Sequence, residues 1–219
     1  MDRIDLLASL AKNSNCVLDV GCDHAFVLIK AIKKYGCKSG IASDINDGPL
    51  KCAYDNISHN NLLDKIEIVK SDGLKNINSN FDTLIIAGMG GNLIKDILCN
   101  GMSKLDNQLL ILEPNNDKYC VRKFLMDNGF KIIDEYAIFD TSKYYEIIIA
   151  KKGLASYSDF ELKYGPTLIL KKENDFLNFY KNKAKMLEDV LKKVSNEEIK
   201  KQKLNELLEI KKYILDENI

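Results

Sequence analysis

Short strand-like runs alternate with amphipathic segments along the first 150 residues of the chain. The strand-like runs cover residues 16–20, 39–43, 66–70, 83–87 and 109–112. Segments with helical periodicity cover residues 5–12, 25–34, 49–60, 91–98 and 118–128, and Pro49 suits the first turn of its helix. The fourth and fifth runs are nearly all apolar, as expected of strands buried on both faces. This alternation predicts an α/β domain with a parallel sheet between two layers of helices.

Two further strand-like runs follow Gly129, at residues 130–139 and 144–151. Only residues 140–143 connect them, and four residues are too few for a crossover between parallel strands. The sheet is therefore predicted to have seven strands and to end in an antiparallel hairpin.

The composition of the sequence changes beyond Gly153, where Lys, Glu, Leu and Asn are the most frequent residues. One helix is predicted from apolar positions at spacings of three and four, namely Phe176, Tyr180, Ala184, Leu187, Leu191 and Val194. A second helix is predicted to begin at Ser195, in a capping box with Glu198. Its stripe comprises Leu204, Leu207, Lys211 and Ile214. We expect one domain over residues 1–153 and a C-terminal helical hairpin, coiled-coil-like, over residues 154–219, called the tail below.

Composition limits the class of protein. The 219 residues are 46% hydrophobic, enough for one domain plus an appendage. No apolar run approaches the roughly 20 residues of a membrane span, and the first residues lack the features of a signal peptide, so we expect a cytoplasmic protein without a membrane partner. The six cysteines form no C-x-x-C pair, which indicates neither a zinc site nor a disulfide framework. Residues 151–219 hold 15 Lys against 12 Asp and Glu, only a weak indication of nucleic-acid binding.

The first strand and the turn after it carry the most specific chemical information. Residues 17–24 read Val-Leu-Asp-Val-Gly-Cys-Asp-His, and Gly21 would let the backbone approach a ligand. Asp44 ends the second strand 23 residues later, where an acidic side chain would bind ribose hydroxyls. A dinucleotide fingerprint would require glycines where Asp23 and Phe26 stand, and Asp23 would repel a pyrophosphate. The pattern favours a ligand with a cationic or neutral centre, for which S-adenosylmethionine is the candidate, over an ordinary turn without a ligand.

An ordered set of motifs carries a resemblance to a known family. The motifs are Gly21-Cys22-Asp23-His24-Ala25, Asp44-Ile45-Asn46-Asp47-Gly48-Pro49, Ser71-Asp72-Gly73-Leu74, Ile86-Ala87-Gly88-Met89-Gly90-Gly91, Leu112-Glu113-Pro114-Asn115 and Lys143-Tyr144-Tyr145-Glu146-Ile147-Ile148. In this order they resemble the bacterial tRNA adenine-22 N1-methyltransferase family over the whole chain. The resemblance implies a Rossmann-like class I methyltransferase domain, S-adenosylmethionine as donor and tRNA as partner. Cys22, Phe26 and Glu113 stand where serine, tyrosine and glutamine are common in that family.

The expected donor site draws on the ends of four strands. Asp44 would bind the ribose, with Ile45 and Asn46 beside it, and Asp72 would accept the adenine amino group. The remaining expected contacts are Gly21, His24, Gly73, Leu74, Ala87, Gly88, Met89 and Gly90. Asp72 could instead cap a loop, the glycines could form a flexible turn, and His24 could position a ligand or merely pack.

Methylation at N1 of adenine needs positioning more than it needs a base, because the ring nitrogen has a free lone pair. The candidates for orienting the base and offsetting its developing positive charge are Asp23, Glu113 and Asn115. These side chains could instead satisfy loop backbone. Two other functions stay open, a methyltransferase for a small molecule or protein and a non-catalytic nucleotide- or RNA-binding protein. No metal is expected, and we expect a monomer.

Overall fold

The computed structural model describes residues 1–216 and contains one seven-stranded sheet. The strands are β1 (Cys16–Val20), β2 (Ser39–Asp44), β3 (Ile66–Lys70), β4 (Thr83–Met89), β5 (Leu109–Pro114), β6 (Phe130–Asp140) and β7 (Lys143–Lys152). Their order across the sheet is β3-β2-β1-β4-β5-β7-β6. The first five strands are parallel, whereas β7 is antiparallel to both β5 and β6. The predicted sheet with its terminal antiparallel hairpin is confirmed.

Helices cover both faces of this sheet. They are α1 (Arg3–Leu10), α2 (Phe26–Tyr35), α3 (Asp47–His59), α4 (Gly91–Asn100) and α5 (Lys118–Asp127), with a 3-10 turn at Met102–Lys104. Alternating strand residues divide between two apolar clusters: Leu84 and Ile86 pack with α4 and α5, whereas Ile85 packs with α1, α2 and α3. The period-two alternation of a strand explains why the central runs are apolar throughout, since each face needs its own core.

The tail is more divided than the sequence predicts. It contains α6 (Asp159–Tyr164), α7 (Leu168–Lys171), α8 (Asn174–Leu191) and α9 (Glu197–Glu209), followed by a π-helical turn at Ile210–Ile214. The two short helices were not predicted, although Ser158 and Glu161 form a capping box at the start of α6. The coiled-coil arrangement and the domain boundary at residues 153/154 stay predictions.

The predicted start of the last tail helix is wrong by one residue. Asn196, not Ser195, caps α9, because its side-chain oxygen accepts hydrogen bonds from two backbone amides, at Glu198 and Ile199. The predicted stripe on α8 is buried from Phe176 to Leu187. The predicted stripe on the last helix is only partly correct. Its Leu204 is 44% exposed, and the buried positions are Leu207, Ile210 and Ile214.

A buried ion cluster joins the tail to the sheet. The guanidinium of Arg122, on α5, donates to Glu135 of β6 at 2.6 Å and to Glu146 of β7 at 2.7 Å. From the tail, the backbone amide of Thr167 donates to Glu135 at 2.9 Å, and the Leu162 carbonyl accepts from Arg122 at 3.3 Å. Tail and sheet therefore share one set of buried polar groups, and removing the tail would take hydrogen-bond partners from the buried Glu135 and Arg122.

Candidate functional site

A cavity of about 480 Å³ opens at the carboxyl ends of β1, β2, β4 and β5. The strand order reverses between β1 and β4, so the cavity lies at the switch point where open α/β sheets bind ligands. Its lining consists of Arg3, Ile4, Leu7, Asp19, Gly21, Cys22, Asp23, His24, Phe26, Val27, Asp44, Ala87, Gly88, Met89, Asn115, Lys143 and Tyr145.

The turn between β1 and α2 forms one wall of this cavity. Gly21, Asp23 and Ala25 all adopt left-handed backbone conformations, with φ of 77°, 47° and 57°. A side chain at Gly21 would also collide with the terminal methyl of Met89 across the cavity. The left-handed conformation is energetically unfavourable for residues other than glycine, and such residues are found most often at functional sites. This turn contains two of them. Within the described residues, 1–216, no side chain caps the first turn of α2, so its amides can bind a ligand.

The wall beside β1 and β2 is acidic. Asp19 is buried, and its side chain makes no hydrogen bond or ion pair with residues 1–216. This burial, reinforced by the charge of Asp44, raises the pKa of Asp19 to about 7. The Asp44 carboxylate accepts a hydrogen bond from the backbone amide of Asn46 at 2.9 Å, which fixes its orientation at the end of β2. Asp23 is exposed and lies 3.7 Å from the His24 ring nitrogen Nε2. Three carboxyl groups on one wall favour a cationic ligand.

Asn115 connects the ends of two central strands. Its side-chain amide donates to the Gly88 carbonyl at 2.6 Å, and its backbone amide donates to the Met89 carbonyl at 2.8 Å. The pairing register between β4 and β5 shifts between Ala87 and Met89, which leaves Gly88 out of register as in a β-bulge. The bulge places the Gly88 carbonyl within reach of Asn115 and so holds that side chain at the cavity wall.

The glycines after β4 serve packing as well as ligand approach. A β-carbon on Gly91 would lie 2.6 Å from the Asp117 carbonyl oxygen and 2.7 Å from that of Asn116. The Gly91 amide also donates to the Asn116 side chain at 3.1 Å. Gly91 is therefore needed for the close contact between the turn before α4 and the turn before α5.

The wall opposite the carboxylates is basic. Arg3 forms an ion pair with Glu113, which is fully buried beneath the cavity wall, and the Arg3 guanidinium lies 4.9 Å from the centre of the Tyr145 ring. Burial raises the pKa of Glu113 although the nearby Arg3 charge opposes the shift. Lys143 donates to the Asn115 side-chain oxygen at 3.2 Å, and its ammonium lies 5.0 Å from the same Tyr145 ring. The cavity therefore has acidic side chains on one wall and basic side chains on the opposite wall.

The structure brings only part of the expected donor site into the cavity. The expected residues that line it are Gly21, His24, Asp44, Ala87, Gly88 and Met89. Those outside its lining are Ile45, Asn46, Asp72, Gly73, Leu74 and Gly90. The Asp72 carboxylate is exposed and accepts from Lys75 at 2.5 Å, whereas the Leu74 side chain is buried in the core. The donor roles of all twelve residues stay predictions.

Of the three expected catalytic residues, Asp23 and Asn115 line the cavity and Glu113 lies beneath its wall. The sequence reasoning missed Asp19, Arg3, Lys143 and Tyr145 as cavity residues. An acidic residue inside the apolar first strand is a signal for Asp19, and the motif around residues 143–148 contains two of the others. Nothing in the local sequence around Arg3 indicates its contact with Glu113, which is 110 positions away.

The cysteines and acidic residues carry no visible metal chemistry. All six cysteines are unpaired, and burial raises the pKa of the Cys22 thiol in the cavity wall. Within residues 1–216, no group of three or more His, Cys, Asp or Glu side chains is arranged to hold a metal ion. No helix in that same part of the chain has both the length and the apolar character needed to cross a membrane.

The chain is similar to one family over nearly its whole length. The sequence profile of the family described as tRNA (adenine(22)-N(1))-methyltransferase, TrmK, matches residues 17–215. The tRNA (adenine(22)-N(1))-methyltransferase of Bacillus subtilis (strain 168) is 31% identical, over 98% of this chain and 96% of its own.

Two solved structures are similar in fold and contain a bound ligand. A Streptococcus pneumoniae protein, proposed to be a tRNA (m1A22) methyltransferase and solved with S-adenosyl-L-methionine, has a TM-score of 0.89 and 32% identity, over 98% of this chain and 100% of that one. The M. capricolum TrmK solved with S-adenosyl-homocysteine has a TM-score of 0.85 and 26% identity, over 97% of this chain and 96% of that one.

Proposed function

Since the chain belongs to the tRNA (adenine(22)-N(1))-methyltransferase family, we propose that it transfers a methyl group from S-adenosylmethionine to N1 of adenine 22 in tRNA. The observation that carries the proposal is the cavity at the carboxyl ends of the central strands, with carboxylates on one wall and a fixed asparagine on the other. In this reaction the N1 lone pair forms a bond to the methyl carbon while the bond from that carbon to sulfur breaks. The sulfonium becomes a neutral thioether, and the adenine acquires the positive charge.

The two walls suit the two substrates. The donor carries a sulfonium and an ammonium group, which the carboxylates of Asp19 and Asp44 would attract, and Asp44 is also positioned to accept the ribose hydroxyls. Asn115 has a second lone pair on its side-chain oxygen besides the one that Lys143 occupies. That lone pair could accept from the exocyclic amino group of the target adenine and orient N1 toward the donor methyl.

The function is tested by methylating tRNA in vitro. The purified chain, labelled donor and a tRNA transcript with adenine at position 22 should give one N1-methyladenosine, located by mass spectrometry of nuclease fragments. A transcript with guanosine at position 22 is the matched control and should remain unlabelled. A protein that binds the donor but methylates neither transcript would overturn the proposal and favour a small-molecule or protein substrate. Failure to bind the donor would favour a non-catalytic binding protein.

We also propose that the tail contributes to tRNA binding. Most tail lysines pair with a carboxylate, and the exposed ones that form no ion pair within residues 1–216 are Lys181, Lys185, Lys193, Lys201 and Lys212. Lys181 and Lys185 lie four residues apart on α8, and the charge of Lys185 also acts on Asp189 without forming an ion pair. Residues three or four apart lie on the same side of a helix, so these two charges could bind phosphates together. Monomeric state and cytoplasmic localisation remain part of the proposal.

The two lysines give this proposal a direct test. Changing both Lys181 and Lys185 to alanine should weaken tRNA binding and lower the slope of log affinity against log salt by roughly two, because two phosphate contacts are lost. Lys192→Ala is the matched control, since Asp189 already pairs with Lys192 at 2.8 Å. Equal effects in the control and the double variant would contradict a specific role for Lys181 and Lys185. Variants are preferable to a truncation, which would strip Thr167 from the buried Glu135.

A further inference from the structure

Lys143 differs from the other cation in the cavity wall. Arg3 is paired with a buried carboxylate, Glu113. Lys143 is exposed, and no carboxylate of residues 1–216 lies within ion-pair distance of its ammonium group, which contacts the Asn115 side-chain oxygen and the Tyr145 ring. The charge of Lys143 acts on the buried Glu113 from a longer distance, but its ammonium forms no ion pair within residues 1–216 and can therefore pair with an anionic ligand.

A tight hairpin holds Lys143 in place. Thr141 and Ser142 form a two-residue turn with φ of 46° and 66°, and Asp140 pairs with Lys143 across it. Two left-handed residues in a two-residue loop match the right-handed twist of the flanking strands, so the register is well defined. The Asp140 carboxylate also accepts from the Arg3 backbone amide at 3.1 Å, which ties the turn to α1.

The hairpin extends beyond the sheet on the side away from the donor wall. The pairing between β5 and β7 ends at Leu112 and Ile148, so residues 143–147 continue past it toward the end of β5. Lys143 therefore overhangs Asn115, whereas Asp19 and Asp44 belong to β1 and β2 on the other side of β4. The cationic centres of the donor fit the acidic wall, and the ammonium of Lys143 fits an anion entering from the β5 side.

We propose that Lys143 binds a backbone phosphate of the target nucleotide while the adenine of that nucleotide occupies the cavity, an inference that rests on the proposed function. A nucleotide that inserts its base into the cavity brings its flanking phosphates to the mouth, where the Lys143 ammonium lies. The same ammonium donates to the Asn115 side chain. Lys143 would therefore fix the position of the RNA backbone relative to the Asn115 amide, which orients the base. Lys143 is thus an RNA-binding residue, and the atoms it contacts are phosphate oxygens.

The first experiment compares Lys143→Ala, Lys143→Arg and Lys151→Ala. Lys151 is an exposed lysine on the same strand, far from the cavity, and serves as the matched control. Lys143→Ala should reduce kcat/KM for tRNA about tenfold, the order expected for a charge-assisted hydrogen bond, and lower the salt slope by about one. Lys143→Arg should restore most of the loss. Donor affinity, measured by calorimetry, should stay within about twofold in all three variants.

The second experiment identifies the phosphate. Synthetic RNAs in which the phosphate on the 5′ or 3′ side of the target nucleotide is replaced by a neutral methylphosphonate are tested with wild type and with Lys143→Ala. If Lys143 contacts one of these phosphates, the neutral linkage should reduce the wild-type rate but have little further effect on the variant. Losses that add fully for both linkages would overturn the contact.

Two other results would also overturn the inference. A loss of donor affinity in Lys143→Ala would assign the lysine to the carboxylate of the donor. An unchanged tRNA rate and salt slope in Lys143→Ala would leave it no role in RNA binding. Failure of the proposed function is a separate result, because wild type itself would then bind the donor and methylate no tRNA, which would overturn this inference as well.

Discussion

Glu113 and Glu146 are both buried glutamates that face an arginine, yet their surroundings shift their pKa values in opposite directions. Burial would raise the pKa of Glu146, but the charges of Arg122 and Lys118 outweigh it and the pKa is lowered. At Glu113 the effect of burial prevails over Arg3 and the pKa is raised. Arg122 is fully buried, whereas Arg3 is 23% exposed and reaches the cavity.

The surroundings of Glu113 and Glu146 differ in how many of the carboxylate oxygens have a partner. Both carboxylate oxygens of Glu146 have cationic partners, at 3.2 Å from Lys118 and 2.7 Å from Arg122. One oxygen of Glu113 has no hydrogen-bond partner among residues 1–216. A saturated cluster between sheet and tail holds structure together, whereas incompletely satisfied groups around a cavity are available to a ligand. The two regions should therefore respond differently to substitution.

The largest expected effect is on stability, at the saturated cluster. Arg122→Met should lower the free energy of unfolding by roughly 3–5 kcal/mol, because it leaves two buried glutamates without their shared cation. The melting temperature should fall by roughly 10 °C, whereas the donor affinity of the folded protein should be unchanged. Thermal and urea unfolding, with calorimetry of donor binding, measure the two quantities.

Lys123→Met is the matched control for this change. Lys123 is the next residue on α5, is exposed, and pairs with Asp127 at the surface at 3.0 Å. Loss of such a surface pair should change stability by about 1 kcal/mol at most. If Arg122→Met were no more destabilising than Lys123→Met, the buried cluster would not hold the tail to the sheet.

The sequence was sufficient to predict the fold of the seven-stranded sheet and the helices between its strands. The apolar runs and their spacing are enough to predict all seven strands and the hairpin, because a strand buried on both faces must be apolar throughout. The helices of the tail were less predictable. The helices α6 and α7 are too short to show a helical periodicity in the sequence. The cap of α9 was mispredicted because Ser195 is as suitable a capping residue as Asn196.

The site was predictable only where local sequence determines geometry. Gly21 and Asp44 could be placed because Gly21 directly follows β1 and Asp44 is the last residue of β2. Arg3 and Lys143 could not, since their positions depend on how α1 and a hairpin fold over the end of β5. The basic wall of the cavity is formed by segments more than 100 positions apart in the sequence, and no local sequence pattern indicates that these segments are in contact.

The next effect is on rate, at the cavity. Asn115→Ala should reduce single-turnover methylation by roughly 10- to 1,000-fold, at about 1.4 kcal/mol per decade, if its amide orients the target adenine. Donor affinity and melting temperature should change little. Asn116→Ala is the matched control, because the Asn116 side chain accepts from the Gly91 amide and should lower stability more than rate. A folded Asn115→Ala protein with an unaltered rate would remove Asn115 from the site.

A smaller effect concerns pH and donor affinity. The pKa of Asp19 is about 7, so this carboxyl is largely protonated at pH 6 and ionised at pH 8. Because the ionised form attracts the cationic donor, affinity should rise by about tenfold between pH 6 and pH 8 and level off above it. Calorimetry at pH 6, 7 and 8 measures the trend, and Asp19→Asn should flatten it. An affinity that falls as pH rises would contradict a cationic contact at Asp19.

The smallest effect separates the two glutamates directly. Glu113→Gln should change the free energy of unfolding by under about 1 kcal/mol, because the cost of burying the carboxylate offsets much of its attraction to Arg3, which keeps some contact with solvent. Glu146→Gln should cost more, since it removes a charge that both Arg122 and Lys118 contact. The methylation rate of Glu113→Gln should fall by only about threefold, because the Glu113 charge is already offset by Arg3. Parallel urea unfolding and single-turnover assays of both variants make the comparison. A Glu113→Gln protein as unstable as Glu146→Gln would assign the Arg3 pair to structure, whereas a rate loss as large as that of Asn115→Ala would make Glu113 itself a group that stabilises the cationic adenine.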